Sequence, residues 1–214
     1  MKKFLFILAF LCINAFSQDI YQDITDMRRS DGELKLLLNS SVDPKNIWDR
    51  AEQGDYVAQA ALGIVFQAST EKDYKTAISW FKKSAEQGFG VAQEYLAYMY
   101  AGGIGVPKDF NQGFYWMQKA AEQGRVGAQH SLGRIYFYGD ESIPKDCRKA
   151  IYWYQKAADQ GHKKAQLALG DAYYNGDCVA KDKALSMYWY TEVQSNADMA
   201  SSAKAKKAIE SLSW

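Results

Sequence analysis

Proline is almost missing from this chain, with three in 214 residues, and no low-complexity stretch interrupts it. That excludes a string of domains joined by stiff or flexible linkers. Histidine is scarcer still, at two residues, so no histidine-rich metal site is to be expected. No charge predominates: 26 basic residues face 25 acidic ones. Such a balance provides no electrostatic footprint for nucleic acid or for an anionic lipid surface. Long apolar runs are absent as well. The only candidate, Phe4 to Ile13, is far below the roughly 20 residues needed to cross a hydrocarbon core. We therefore expect no membrane insertion of the mature chain.

That short run has a different use. Met1-Lys2-Lys3, the apolar stretch and Ala15-Phe16-Ser17 before Gln18 make the charged, apolar and small-residue zones of a secretory signal peptide. Cleavage is expected after Ser17, with the protein exported and either periplasmic or secreted. A lipoprotein reading of Cys12 fits poorly, because bulky Phe10 and Leu11 precede it. Loss of Lys2 and Lys3 leaves 24 basic against 25 acidic residues in a mature chain of 197. That is long enough for one stable domain.

What is present is repetition. Ala-Glu-Gln-Gly occurs at 51–54, 85–88 and 121–124, then varies to Ala158-Asp159-Gln160-Gly161. After three intervening residues each copy continues with Ala-Gln, at Ala58-Gln59, Ala92-Gln93, Ala128-Gln129 and Ala165-Gln166, followed by Leu62, Leu96, Leu132 and Leu169. The glycines Gly54, Gly88, Gly124 and Gly161 are 34, 36 and 37 residues apart, a period that means stacked helical units rather than one central core. Ala128, Leu132 and Tyr136 lie four apart, which makes a single stripe on a helix and predicts core. Gly63, Gly133 and Gly170 beside the leucines cost roughly 1 kcal/mol each relative to alanine, so their recurrence implies close approach of a neighbouring helix. Ala97 fills that slot in the second copy; smallness is the requirement.

A turn follows each first helix: Gly102 to Asp109, Gly139 to Asp146 and Gly176 to Asp182. The opening glycines suit a left-handed helix end, and each closing aspartate can cap the next helix. The first copy keeps Asp73 but has Ala68-Ser69-Thr70 in place of the glycines, which predicts a tighter turn. Every second helix carries a tryptophan, at Trp80, Trp116, Trp153 and Trp189. The period alone explains these four, and we expect them to pack in the core.

These residues resemble the Sel-one-like repeat, a relative of the tetratricopeptide repeat, over about 51–194. The resemblance implies an all-α fold, a right-handed α-solenoid of antiparallel helix pairs with four repeats plus capping helices. It also implies a binding scaffold, often in exported bacterial proteins. The departures are Ala97 for glycine, Phe66 for tyrosine and the shortened first turn. The expected organisation is a signal peptide at 1–17, a leader and capping helix at 18–50, and repeats at 51–84, 85–120, 121–157 and 158–194. A C-terminal capping helix occupies 195–214.

Exposed apolar ends of a stack need covers. Asp43-Pro44 reads as a cap and first-turn proline opening a short helix with Ile47 and Trp48 as its apolar residues. Leu34 to Leu38 could form a further helix. At the other end Met199, Ala205, Ala208, Ile209 and Leu212 form a stripe on a lysine-rich helix. Cys147 and Cys178 remain after signal removal, one opening a second helix and the other in the next turn. Either they are bridged in an oxidising compartment, or they are separate thiols, with Cys147 a small core residue.

A search for chemistry gives none. His130 and His162 occupy different repeat positions and read as exposed helix residues, with no metal-ligand spacing around them. Gly103-Ile104-Gly105 follows a helix and lacks the third glycine of a phosphate loop. Glu52, Glu86, Glu122 and Asp159 lie a full repeat apart, not as an acid and base pair. Ser131 beside His130 faces another way on a helix. We thus expect no enzyme, no cofactor and no metal.

Function then falls to the surface. Residues off the core stripe, Glu94, Tyr98, His130, Arg134, Phe137, Asp171 and Tyr174, can face outward on the concave side. Tyrosine and arginine are favoured interface anchors. The expected function is an exported adaptor or inhibitor whose partner is another protein. Alternatives are a periplasmic immunity protein that neutralises a toxin, an assembly factor for envelope machinery, or a weak hydrolase.

Overall fold

The structure is a computed structural model that describes residues 46–68, 72–139, 142–194 and 199–212. The expected signal peptide, the Leu34–Leu38 helix, the Asp43-Pro44 cap and the tip of the first turn lie outside the described residues. Ten helices and no strand are found among those described. They are α1 (Ile47–Glu52), α2 (Tyr56–Ala68), α3 (Tyr74–Glu86), α4 (Gly90–Gly102) and α5 (Phe110–Glu122). There follow α6 (Val126–Tyr138), α7 (Cys147–Asp159), α8 (Lys163–Asn175), α9 (Lys183–Gln194) and α10 (Met199–Leu212).

Two compact units meet in sequence after Phe110, at the start of α5. In the first, α2 packs against α1 and α3, and α3 against α4. In the second, α6 to α9 pack each on the next and α10 covers α9. The repeating alanine and leucine positions explain why. Ala58, Ala92, Ala128 and Ala165 are fully buried, as are Leu62, Leu96, Leu132 and Leu169. Each leucine contributes about 1.5–3 kcal/mol of apolar burial.

The local signals end the helices as their chemistry requires. Asp73, Asp146 and Asp182 each accept a hydrogen bond from the backbone amide three residues on, at Thr76, Lys149 and Leu185. Gly103 and Gly176 hold the left-handed conformation that closes α4 and α8. The glycines of the Ala-Glu-Gln-Gly motif have φ of 97°, 89°, 84° and 80° at Gly54, Gly88, Gly124 and Gly161, with no heavy atom within 4 Å of where a Cβ would lie. Their recurrence is therefore a backbone requirement and not a packing one.

Gly63, Gly133 and Gly170 are the opposite case. A Cβ there would come within 2.6 Å of the Phe81 ring, 2.5 Å of Tyr154 and 2.7 Å of Tyr190. The close neighbour is the side chain immediately after each tryptophan, not the indole. Phe81, Tyr154 and Tyr190 are buried, as is Met117 in the second copy, where alanine replaces glycine. Of the tryptophans expected in the core, Trp80 and Trp189 are buried, but Trp116 and Trp153 are only half-buried. Adjacent helix residues diverge by about 100°, so only one of the two can point straight at the glycine groove.

The ends are covered. Trp48 of α1 meets the rings of Phe66 and Trp80 edge-on, at 6.1 and 5.7 Å. At the C-terminus Ala205 of α10 is buried with Tyr190 and Val193, and Ala208 and Ile209 pack against them. These three are the described part of the stripe expected to cap the stack.

Candidate functional site

The conserved spacing within the repeat has a polar cause that sequence reasoning missed. Gln59, Gln93, Gln129 and Gln166 are buried, and each Nε2 donates to the carbonyl of the alanine eight residues earlier, Ala51, Ala85, Ala121 and Ala158, at 3.0–3.2 Å. Each glutamine thus adds a second donor to a carbonyl at the end of the preceding helix that already accepts from the amide of the motif glycine, Gly54, Gly88, Gly124 or Gly161. Two continue as a ladder. Gln87 donates to Gln59 Oε1 at 2.8 Å and Gln160 to Gln129 Oε1 at 2.7 Å. The fixed eight-residue offset from alanine to glutamine was the available signal.

The histidines are a correction. Rather than two exposed helix residues, they are half-buried and lie against each other, with ring centroids 4.6 Å apart and planes tilted by 33°. His162 is not within a helix but caps α8, its Nδ1 accepting from the Ala165 amide at 3.3 Å. Burial first, then the positive charges of His162, Arg134 and Lys164, push the His130 imidazole down to about 4. Burial and then Lys164 lower His162 as well. Both rings are therefore neutral near pH 7. Among the described residues no group of three or more His, Cys, Asp or Glu side chains could hold a metal ion.

Cys147 at the start of α7 and Cys178 in the turn after α8 form a disulfide, with Cα atoms 4.8 Å apart, a usual separation. It ties the α8–α9 turn to the preceding second helix. Cys178 has φ of 65°.

The seven surface residues fare differently. Tyr98, Arg134 and Tyr174 are exposed. His130, Phe137 and Asp171 are half-buried. Phe137 packs against the core of α7 to α9, and Asp171 accepts the Tyr190 hydroxyl at 2.7 Å. Burial, followed by this carboxylate, raises the Tyr190 pKa, so the hydroxyl stays protonated as donor. Glu94 departs most from expectation, being 8% exposed. Its slot, two residues past the alanine, holds fully buried Ala60 in the first copy, so first helices are packed on more than the one stripe.

A row of exposed side chains escaped the sequence reading. Tyr115, Tyr152 and Tyr188 precede the tryptophans of the last three copies and are 47%, 53% and 52% exposed. Each meets the next indole edge-on at about 5 Å. Lys119 lies over Tyr115 and Lys156 over Tyr152, at 5.9 and 5.7 Å. The signal was an aromatic pair at one repeat position. Among the described residues no helix is long and apolar enough to cross a membrane.

Paired helices of 12–13 residues, cemented by a recurrent glutamine and leucine and presenting varied side chains outward, define a helical repeat protein. The chain belongs to the Sel1 repeat family, whose pattern matches residues 57–89, 90–124, 126–162 and 163–192. Sel1-repeat proteins are generally protein-interaction scaffolds. Two solved structures are similar. A protective antigen of uropathogenic Escherichia coli displaying an SLR fold is 34% identical, with a TM-score of 0.69 over 75% of this chain and 35% of that one. A Sel1 repeat protein from Oxalobacter formigenes is 34% identical, with a TM-score of 0.66 over 72% of this chain and 64% of that one. The chain thus spans less than two thirds of either relative. No curated protein matches it.

Proposed function

We propose that this chain is an exported adaptor or inhibitor that binds a protein partner through exposed side chains of its first helices. The observation that carries this reading is the exposure of Tyr98, Arg134 and Tyr174 on helices whose alanines and leucines are fully buried. The buried set builds the fold, and the exposed three present side-chain surface that a partner can meet. Tyrosine and arginine supply large contact area and strong hydrogen bonds when an interface buries them. Membership of a scaffold family supports the same reading.

The test is capture of a partner from the native host by tagged protein, with Arg134→Ala plus Tyr174→Ala as the comparison and Tyr98→Ala as a separate variant. The expected result is loss of the captured protein with an unchanged melting temperature. Equal capture by all variants counts against this face. Export is tested by sequencing the N-terminus of the cell-derived protein. Processing to Gln18 is expected, and an intact Met1 in the cytoplasm contradicts it.

A further inference from the structure

The two imidazoles of the second unit stand among charges of one sign. His130 lies on α6 with Arg134 four residues on, so the two share a helix face. His162 caps α8, and Lys164 is in the first turn of that helix. The rings are 4.6 Å apart, and the Tyr154 ring of α7 is 5.9 Å from His130. Beyond burial, which comes first, the charges that lower His130 are those of His162, Arg134 and Lys164, while Lys164 acts on His162. All are positive. Tyr154, raised by its own burial, stays a neutral phenol.

This cluster is rich in donors. Because His162 Nδ1 accepts from the Ala165 amide at 3.3 Å, the neutral ring carries its proton on Nε2. Arg134 and Lys164 are exposed, and among the described residues neither has an ion pair. A metal cation would meet two positive charges here, and among the described residues no third His, Cys, Asp or Glu side chain joins the pair as a ligand. An apolar side chain would cover the imidazole and guanidinium donors without pairing them. A phosphoryl group would bring about two negative charges against half-buried, uncharged rings, at the greater cost in lost hydration. A single carboxylate suits the planar fork of Arg134.

We propose that the cluster of His130, His162, Arg134 and Lys164 receives an acidic side chain, aspartate or glutamate, of a partner protein. The inference rests on the reading of the first helices as a protein-binding face and names the chemistry of the partner. Arg134 pairs the carboxylate, Lys164 adds a second positive charge, and His162 Nε2 supplies a donor. The bound negative charge favours protonation of both rings. Binding therefore takes up protons. It tightens as pH falls from 7, where both rings are neutral, towards the His130 value of about 4.

The experiment is an NMR titration of isotopically labelled full-length protein with acetyl-tetraglutamate amide at low salt, at pH 7 and pH 5.5. The peptide stays ionised at both. Acetyl-tetraglutamine amide and a phosphoserine peptide of the same length serve as comparisons. Saturable shifts are expected in the ring signals of His130 and His162 with glutamate, none with glutamine, and weaker binding with phosphoserine. Affinity for the glutamate peptide should rise about threefold to fivefold at the lower pH. The chain has no other histidine, so no other imidazole can take up the proton. Arg134→Gln and Lys164→Gln, both at exposed positions, should weaken binding by about threefold to tenfold and about twofold. His162→Asn, which keeps an oxygen to cap α8, should reduce the dependence on pH.

Absence of a saturable shift, an equal response to tetraglutamine, tighter binding of phosphoserine, an affinity unchanged between pH 7 and 5.5, or indifference to Arg134→Gln overturns the proposal. A partner captured through Arg134 and Tyr174 while the glutamate peptide fails to bind removes the acidic occupant but leaves the scaffold reading standing. Glutamate binding at the cluster with capture unaffected by Arg134→Ala and Tyr174→Ala does the reverse.

Discussion

Gly133 on α6 lies directly beneath the ring of Tyr154 on α7, so close that a single added carbon would stand 2.5 Å from Tyr154 Cδ1. Tyr154 is 3% exposed and cannot swing clear. Alanine at Gly133 would gain about 1 kcal/mol of helix propensity and lose about 1–3 kcal/mol to overpacking. The clash should win. Gly133→Ala is expected to lower stability in chemical denaturation, and a stabilised variant would contradict the packing account.

In sequence the second repeat has the other combination, Ala97 at the glycine position and Met117 at the ring position. Transplanting it as Gly133→Ala with Tyr154→Met should recover part of the loss. A double-mutant cycle should show a favourable coupling of at least about 0.5 kcal/mol, as expected for residues in contact. Strict additivity of the two single changes would refute the pairing.

Replacing Gln129 by leucine removes the 3.2 Å hydrogen bond to the Ala121 carbonyl, which keeps the Gly124 amide at 3.0 Å, and takes from Gln160 its Oε1 acceptor. The expected loss is about 0.5–1.5 kcal/mol for each bond removed. Gln160→Ala, at an exposed residue that donates to Gln129 Oε1, should cost less. Urea denaturation of both variants separates the buried rung from the outer one.

The Cys147–Cys178 bridge closes a segment with a sequence separation of 31. Restriction of the unfolded chain by such a loop is worth about 2–4 kcal/mol. Replacement of both cysteines by serine should lower the melting temperature. Reductant should lower it in the unmodified protein and have no effect on the double variant.

Acid should weaken the second unit through its two adjoining imidazoles. The His130 pKa is about 4 in the folded protein and 6.5 without the fold, so the unfolded chain takes up the proton first as pH falls. The contribution to stability is complete above pH 6.5 and is lost as pH drops from there towards 4. His130→Leu should flatten that part of the stability profile relative to the unmodified protein. Denaturation at pH 7, 5.5 and 4 provides the comparison, and parallel profiles would count against the effect.

The four helix pairs were legible before any coordinates, because a buried stripe must recur at helical spacing and a repeated unit must repeat its stripe. Ala128, Leu132 and Tyr136 are buried as their spacing requires. The aspartate caps at Asp73, Asp146 and Asp182 were legible for the same reason. They act within three residues of themselves. Less could be read of the candidate surface. Tyr98, Arg134 and Tyr174 are exposed, whereas Glu94 is buried and Asp171 is engaged by Tyr190. Position relative to one stripe does not tell how many neighbours a helix has.

The sequence by itself determined the repeat, the helices and the residues at their cores, since these depend on local periodicity and on small residues at fixed intervals. Only the tertiary structure decided that Tyr154 and not Trp153 fills the groove at Gly133, that His130 meets His162, and that Cys147 reaches Cys178. Those outcomes depend on which side chains of different helices arrive at the same point. Helix–helix packing fixes that, and no spacing along the chain encodes it alone.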